Sequence, residues 1–240
     1  MRKLWTKIPN IEREGLIKKG SEILYSKAGE PALEYLINKR KISKNILRKF
    51  NIGYFPEYLT KNGKEIKLEV NGRIITPIYS NDGSRPVAIS TRHLDENHSF
   101  RFWHENYDKK YYMFGFSNAK NNIIKKNKCI VVEGEMDVLC LNSYGFKYTV
   151  CISGSAMSNY QISTILRYCD EVFFCFDPDT AGERAKNKCK QIYEEYGLEY
   201  YGIKFYYVKI PNKLDPDKFV IKNGRDDFID LLKFSMEIEE

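Results

Sequence analysis

The chain of 240 residues has six cysteines, at positions 129, 140, 151, 169, 175 and 189, and no two of them form a Cys-x-x-Cys pair. They lie mostly in apolar stretches and read as reduced core residues, so neither a zinc site nor a disulfide framework is expected. Histidine is scarcer still: His93, His98 and His104 fall in a poorly patterned region without ligand spacing. No apolar run approaches the ~20 residues needed to cross a bilayer, and residues 1–10 lack the apolar core of a secretion signal. No internal repeat or low-complexity segment stands out. These absences point away from membranes and secretion, towards a protein of the cytoplasm, or of a host cytoplasm.

What is present is enough for a buried core. Hydrophobic residues make up 42% of the chain, which suits one sizeable domain or two small ones. The net charge is +7, unevenly placed: residues 1–50 hold thirteen Lys or Arg against five Glu, while the last residues run Met236-Glu237-Ile238-Glu239-Glu240. A basic front half suits a protein that holds a polyanion, and equally a soluble surface rich in lysine.

Residues 16–50 have helical spacing, with Ser43 placed to cap a second helix. From Gly53 to Arg92, short alternating runs broken by turns such as Asn81-Asp82-Gly83 predict antiparallel strands. Residues 95–112 read as a loop. After Lys128 the pattern becomes strand, loop, helix repetition: strands at 129–132, 148–152, 171–176 and 201–208, and helices stopped by Gly145 and Gly197 or capped by Ser158 with Gln161 three residues on. Such alternation builds a parallel sheet flanked by helices.

Two of these apolar runs stop abruptly at acids, Glu133-Gly134-Glu135-Met136-Asp137 and Asp177-Pro178-Asp179. Open α/β sheets bind ligands at the C-terminal ends of their strands, and magnesium is held by a few convergent carboxylates plus substrate phosphates. The pattern therefore predicts a magnesium site for phosphoryl or nucleotidyl transfer. Any single acid at a helix start is also a plausible cap.

Glu133-Gly134-x-x-Asp137 followed by Asp177-x-Asp179-x-Ala181-Gly182 resembles the Toprim domain shared by bacterial-type primases, topoisomerases and some nucleases. Gly154-Ser155-Ala156-Met157-Ser158 resembles the Gly-Thr-Ala-Leu-Thr loop of DnaG-type primases, and Lys213-Leu214-Asp215-Pro216-Asp217-Lys218-Phe219 their Asp-Pro-Asp-Glu-Phe segment. Ala32-Leu33-Glu34-Tyr35-Leu36 with Arg40, then Phe50-Asn51-Ile52-Gly53-Tyr54, are similar to the opening of the primase core. Gly72-Arg73, Arg92 and Met113-Phe114-Gly115-Phe116 are similar to its later motifs. The family's Lys-Tyr-Leu-Asn-Ser-Pro-Glu-Thr stretch is shortened, with Arg101-Phe102 its nearest counterpart, and neither the zinc ribbon nor the helicase-contacting domain has a counterpart in the sequence.

The resemblance implies a basic mixed α/β N-terminal subdomain over residues 1–125 and a Toprim domain with a short helical tail over 126–240. It implies a primase core making RNA primers on single-stranded DNA from ribonucleoside triphosphates. Glu133, Asp177 and Asp179 would hold Mg2+ or Mn2+, with Asp137, Asp215 and Asp217 in the same acidic cluster, and Arg73, Arg92 and Arg101 would hold nucleotide or template phosphates. A replicative helicase or a separate zinc-binding subunit would be the partner. A Toprim nuclease would use the same acids, and a non-catalytic nucleic-acid-binding accessory would keep only the fold.

Overall fold

In the computed structural model, which describes residues 10–57, 59–61, 64–66, 70–153, 157–177 and 180–238, the chain divides into two compact units, one reaching to Tyr107 and the other starting at Asp108.

The first unit opens with helix α1, Asn10–Leu24. Its buried stripe is Arg13, Ile17, Gly20 and Leu24, at the spacing that keeps one face of a helix on a core. Helix α2, Glu30–Glu34, runs on as a π-helical stretch, Tyr35–Lys39, and α3, Lys44–Lys49, starts at Ser43, whose side chain accepts from Ile46 N at 3.4 Å as the sequence predicts. Strands β1 (Gly53–Phe55), β2 (Leu59–Lys61), β3 (Lys64–Ile66), β4 (Arg73–Tyr79), β5 (Pro86–His93) and β6 (Phe102–His104) follow. An antiparallel sheet runs in the order β1-β4-β5-β6, and β2 and β3 pair separately. Strand β6 lies inside the segment expected to be a loop: Phe102, Trp103 and His104 lack alternation, yet pair with Arg92, Thr91 and Ser90.

Helix α1 comes unusually near β1. A Cβ on Gly53 would lie 2.6 Å from the carbonyl carbon of Gly20, so glycine is required where the two backbones meet. Arg13 then reaches through the unit: its Nε donates to Glu105 Oε2 at 2.9 Å and its Nη1 to Pro86 O at 3.2 Å. Both charges are wholly buried, and Glu105 Oε2 also accepts from Ile89 N at 3.2 Å, so the pair is compensated by hydrogen bonds.

The second unit contains α4 (Phe116–Lys126), β7 (Lys128–Val132), α5 (Glu135–Ser143), β8 (Thr149–Cys151), α6 (Asn159–Ile165), β9 (Glu171–Cys175), α7 (Thr180–Glu195), β10 (Lys204–Tyr207), α8 (Pro216–Asn223), α9 (Arg225–Lys233) and β11 (Met236–Glu237). Its sheet has the order β11-β10-β9-β7-β8; the four longer strands are parallel and β11 is an antiparallel edge. The fully buried run from Cys129 to Val132 explains why β7 sits inside the sheet. Helix α4 belongs to this unit: Phe116, Ala119 and Ile123 join Cys129, Val131 and Phe174 in one core. Gly145 and Gly197 have φ of +96° and +55°, the left-handed backbone that stops a helix, as their positions in the sequence predict. Ser158 and Gln161 form a reciprocal capping box on α6. All six cysteines are buried, and none is in a disulfide.

Candidate functional site

Strands β7 and β9 lie side by side and parallel, with Val132 opposite Cys175, so the residues just beyond them leave the sheet together. The sequence places Glu133 beyond one and Asp177 beyond the other. The structure joins them: Asp177 N donates to Glu133 Oε1 at 3.0 Å. Below, the Cys151 thiol of β8 donates to Glu133 O at 2.8 Å. Burial and the nearby carboxylates of Glu135 and Asp137 hold that thiol well above its ordinary pKa, so it stays a donor. Glu135, which sequence reasoning passed over, accepts from Ser153 Oγ at 3.1 Å. Its signal was only its place between two other acids.

Asp137 sits in the first turn of α5, four residues after Glu133, and faces a second helix. Its Oδ1 accepts from Asp217 N at 3.1 Å, capping the start of α8 from outside. Asp137 and Asp217 are both buried, at 7% and 1% exposure. A Cβ on Gly134 would lie 2.7 Å from Asp137 Oδ2, so only glycine leaves the carboxylate its present position. Asp215 differs: it is the residue before α8, and its Oδ2 meets Lys218 Nζ at 2.5 Å on the surface. Five of the six expected acids therefore divide into the pair Glu133 and Asp177, the pair Asp137 and Asp217, and Asp215 on Lys218. Asp179 and the Gly154-Ser155-Ala156 loop lie outside the described residues. Among the described residues no three His, Cys, Asp or Glu side chains converge as a metal cluster. The donor set is nonetheless one of carboxylate oxygens at strand ends, which fits a hard divalent cation such as magnesium.

The expected arginines lie in the first unit. Arg73 differs from a solvent-facing phosphate contact: it is 6% exposed, and its guanidinium donates to Phe100 O, to Arg101 O at 3.3 Å and to Thr91 Oγ1 at 3.4 Å. Burial lowers its pKa, against the opposing pull of Glu57. Arg92 and Arg101 instead gather around Glu96. Glu96 Oε1 lies 2.9 Å from Arg101 Nη2 and 3.7 Å from Arg92 Nη2, and its Oε2 lies 2.8 Å from Lys39 Nζ. The Lys39 hydrogen bond is the largest cause holding the Glu96 carboxyl below the usual range. Arg92 also lies over the Phe102 and Tyr35 rings, at 5.2 and 5.9 Å from their centroids. The Nε groups of Arg92 and Arg101 have no hydrogen-bond partner among the described residues. Three cations thus share one carboxylate, which leaves positive charge for an anion. His93 and His98 stack with ring centroids 3.9 Å apart, and each accepts a backbone N–H at Nδ1, from Asp95 and Phe100.

Known proteins share this architecture. Residues 130–220 match the Toprim-like family model. The chain is 30% identical over 248 residues to the DNA primase of Enterococcus faecalis, an overlap that takes in 90% of this chain and 38% of that protein. The chain thus spans under two fifths of the length of that curated relative. A structure of the DnaG catalytic core superposes with a TM-score of 0.81 at 23% identity, over 94% of this chain and 79% of that one. The DnaG primase catalytic domain bound to single-stranded DNA gives 0.80 at 23% identity, over 94% and 78%. The chain therefore carries a Toprim domain of the DnaG primase type within the fold of the DnaG catalytic core.

Proposed function

We propose that this chain is a primase catalytic core that synthesises short RNA primers on single-stranded DNA from ribonucleoside triphosphates. The observation that carries the reading is the meeting of Glu133 and Asp177 at adjacent parallel strand ends, in a chain whose relatives are named DNA primases. Glu133, Asp177 and Asp179 would hold Mg2+ or Mn2+, which when bound supplies charge neutralisation for the triphosphate and acidifies the primer hydroxyl.

The chain's own residues do the rest. The Asp177 amide fixes one Glu133 oxygen, which orients the carboxylate before any ligand arrives. Asp137 holds the start of α8 and so the position of Asp217. Arg92, Arg101 and Lys39 bind phosphates as an electrostatic patch, and Arg73 holds the backbone that carries Arg101. Single-stranded DNA is the template on this reading, a replicative helicase or a separate zinc-binding subunit is the partner, and the cytoplasm is where the synthesis takes place. No helix among the described residues is long and apolar enough to cross a membrane. The test is incubation with labelled ribonucleotides, a divalent cation and single-stranded DNA. Short template-dependent RNA supports the reading; cleavage of the DNA without RNA synthesis replaces it with a Toprim nuclease.

A further inference from the structure

Lys109, Lys110 and Tyr111 form one short 3-10 turn closed by backbone hydrogen bonds of 3.2 and 3.3 Å. Its strong anchors come from α6. Gln161 Nε2 donates to Lys109 O and to Tyr112 O, both at 3.0 Å, and Ser158 Oγ donates to Lys110 O at 2.6 Å. The Tyr111 ring meets the Tyr160 ring edge-on, centroids 5.0 Å apart. Gln161 is 2% exposed, and its Oε1 accepts from Ser158 N at 2.9 Å. One orientation of the amide satisfies all three partners, since the oxygen must accept and the nitrogen must donate twice. The same side chain that completes the helix cap therefore latches the turn.

The latched segment leads on to the acidic strand end. Phe114 exchanges two backbone hydrogen bonds with Cys151, each 3.0 Å, and the Cys151 thiol donates to Glu133 O at 2.8 Å. The chain from Tyr112 to Phe114, followed by these hydrogen bonds, thus ties the lysine turn to the residue at the head of the candidate site. Lys110 is exposed, with Nζ 3.4 Å from Asp108 Oδ2 at the surface.

We propose that Gln161 is a positioning residue for nucleic-acid binding: through the carbonyls of Lys109 and Tyr112 it fixes the Lys109-Lys110 pair, so that the two ammonium groups meet phosphates of single-stranded DNA. The proposal rests on the primase reading for the identity of the polyanion. A held pair of cations loses less freedom on binding than a mobile one, and the gain is read as affinity.

Gln161→Glu separates the latch from the cap. A glutamate oxygen still accepts from Ser158 N, but no donor remains for the two carbonyls. With a labelled single-stranded oligonucleotide, we expect Kd to rise about threefold to tenfold, and the slope of log affinity against log salt to fall by about 0.7 for each phosphate no longer neutralised. Hydrogen exchange should quicken at residues 109–112 while α6 stays protected. Lys109→Ala/Lys110→Ala, a surface change, should weaken binding to a similar degree, and adding Gln161→Glu to it should cost nothing further, because both act through the same ammonium groups. Parental affinity and salt slope in either Gln161→Glu or the lysine pair variant overturn the proposal, and so do losses that add. Failure of the parent chain to make RNA overturns the primase reading instead and leaves these binding readouts intact.

Discussion

The Asp177 backbone amide donates to Glu133 Oε1 at 3.0 Å, so one residue beyond each of two neighbouring strands is held in a fixed relation before any ligand binds. Glu133→Gln keeps an oxygen that can accept this bond and removes only the charge. Primer synthesis by this variant should fall at least about 100-fold, on the scale of losing a main electrostatic stabiliser, with thermal stability equal to or above the parent's because like charges are relieved. Synthesis near the parent rate would remove Glu133 from the metal-holding set.

Asp137, in the first turn of α5, caps the start of another helix, α8, by accepting from Asp217 N. Asp137→Ala strips the cap from α8 and should cost about 0.5–2 kcal/mol in denaturant unfolding, whereas Asp137→Asn retains an acceptor and should cost much less. Gly134→Ala should resemble Asp137→Ala, because its Cβ would intrude to 2.7 Å from Asp137 Oδ2. If Gly134→Ala proved neutral in stability and activity, the carboxylate would not depend on that space.

Arg73 and Arg101 separate by the kind of damage they do. Arg73→Ala removes a buried side chain together with its hydrogen bonds to the Phe100 and Arg101 carbonyls, the latter keeping its bond from His93 N at 2.7 Å, and should destabilise the protein by about 1–3 kcal/mol. Arg101→Ala should leave stability nearly unchanged and reduce single-stranded DNA affinity, with a salt slope smaller by about 0.7. Chemical denaturation and anisotropy titrations at several salt concentrations distinguish the two; a reversed pattern would assign Arg73 to the ligand.

The strand ends were legible because an apolar run that halts at Glu133 or Asp177 is the mark of a buried strand opening onto a polar crevice, and the Ser158 and Gln161 cap was legible because its signal is local. The fate of Arg73 was not, since its acceptors are main-chain carbonyls of residues 100 and 101, and carbonyls leave no mark in a sequence. The bond from Asp217 N to Asp137 was not legible either, because the two residues lie 80 positions apart and on different helices. Strand β6 escaped notice for a similar reason: Phe102, Trp103 and His104 are strand by pairing with β5, not by alternation.

The buried thiols give a pH dependence. Burial raises the Cys169 and Cys189 thiols to about 12 from an ordinary 9.0. A raised pKa in the folded state means that the unfolded chain loses its protons first, so the stability contributed is complete below about 9 and declines as pH rises towards about 12. Unfolding free energy should therefore drop on the alkaline side, and replacing Cys169 with valine should flatten the drop. An unchanged alkaline profile in that variant would show that Cys169 does not contribute.

The central claim is that the carboxylates at the ends of β7 and β9 serve nucleotidyl transfer. Its most direct test is primer synthesis on single-stranded DNA with labelled ribonucleotides, comparing the parent chain with Asp177→Asn across a magnesium titration. The parent should make template-dependent RNA only when magnesium is present, and Asp177→Asn, though folded, should make none above background at any magnesium concentration. Equal yields from both, or RNA made by the parent without any divalent cation, would contradict it.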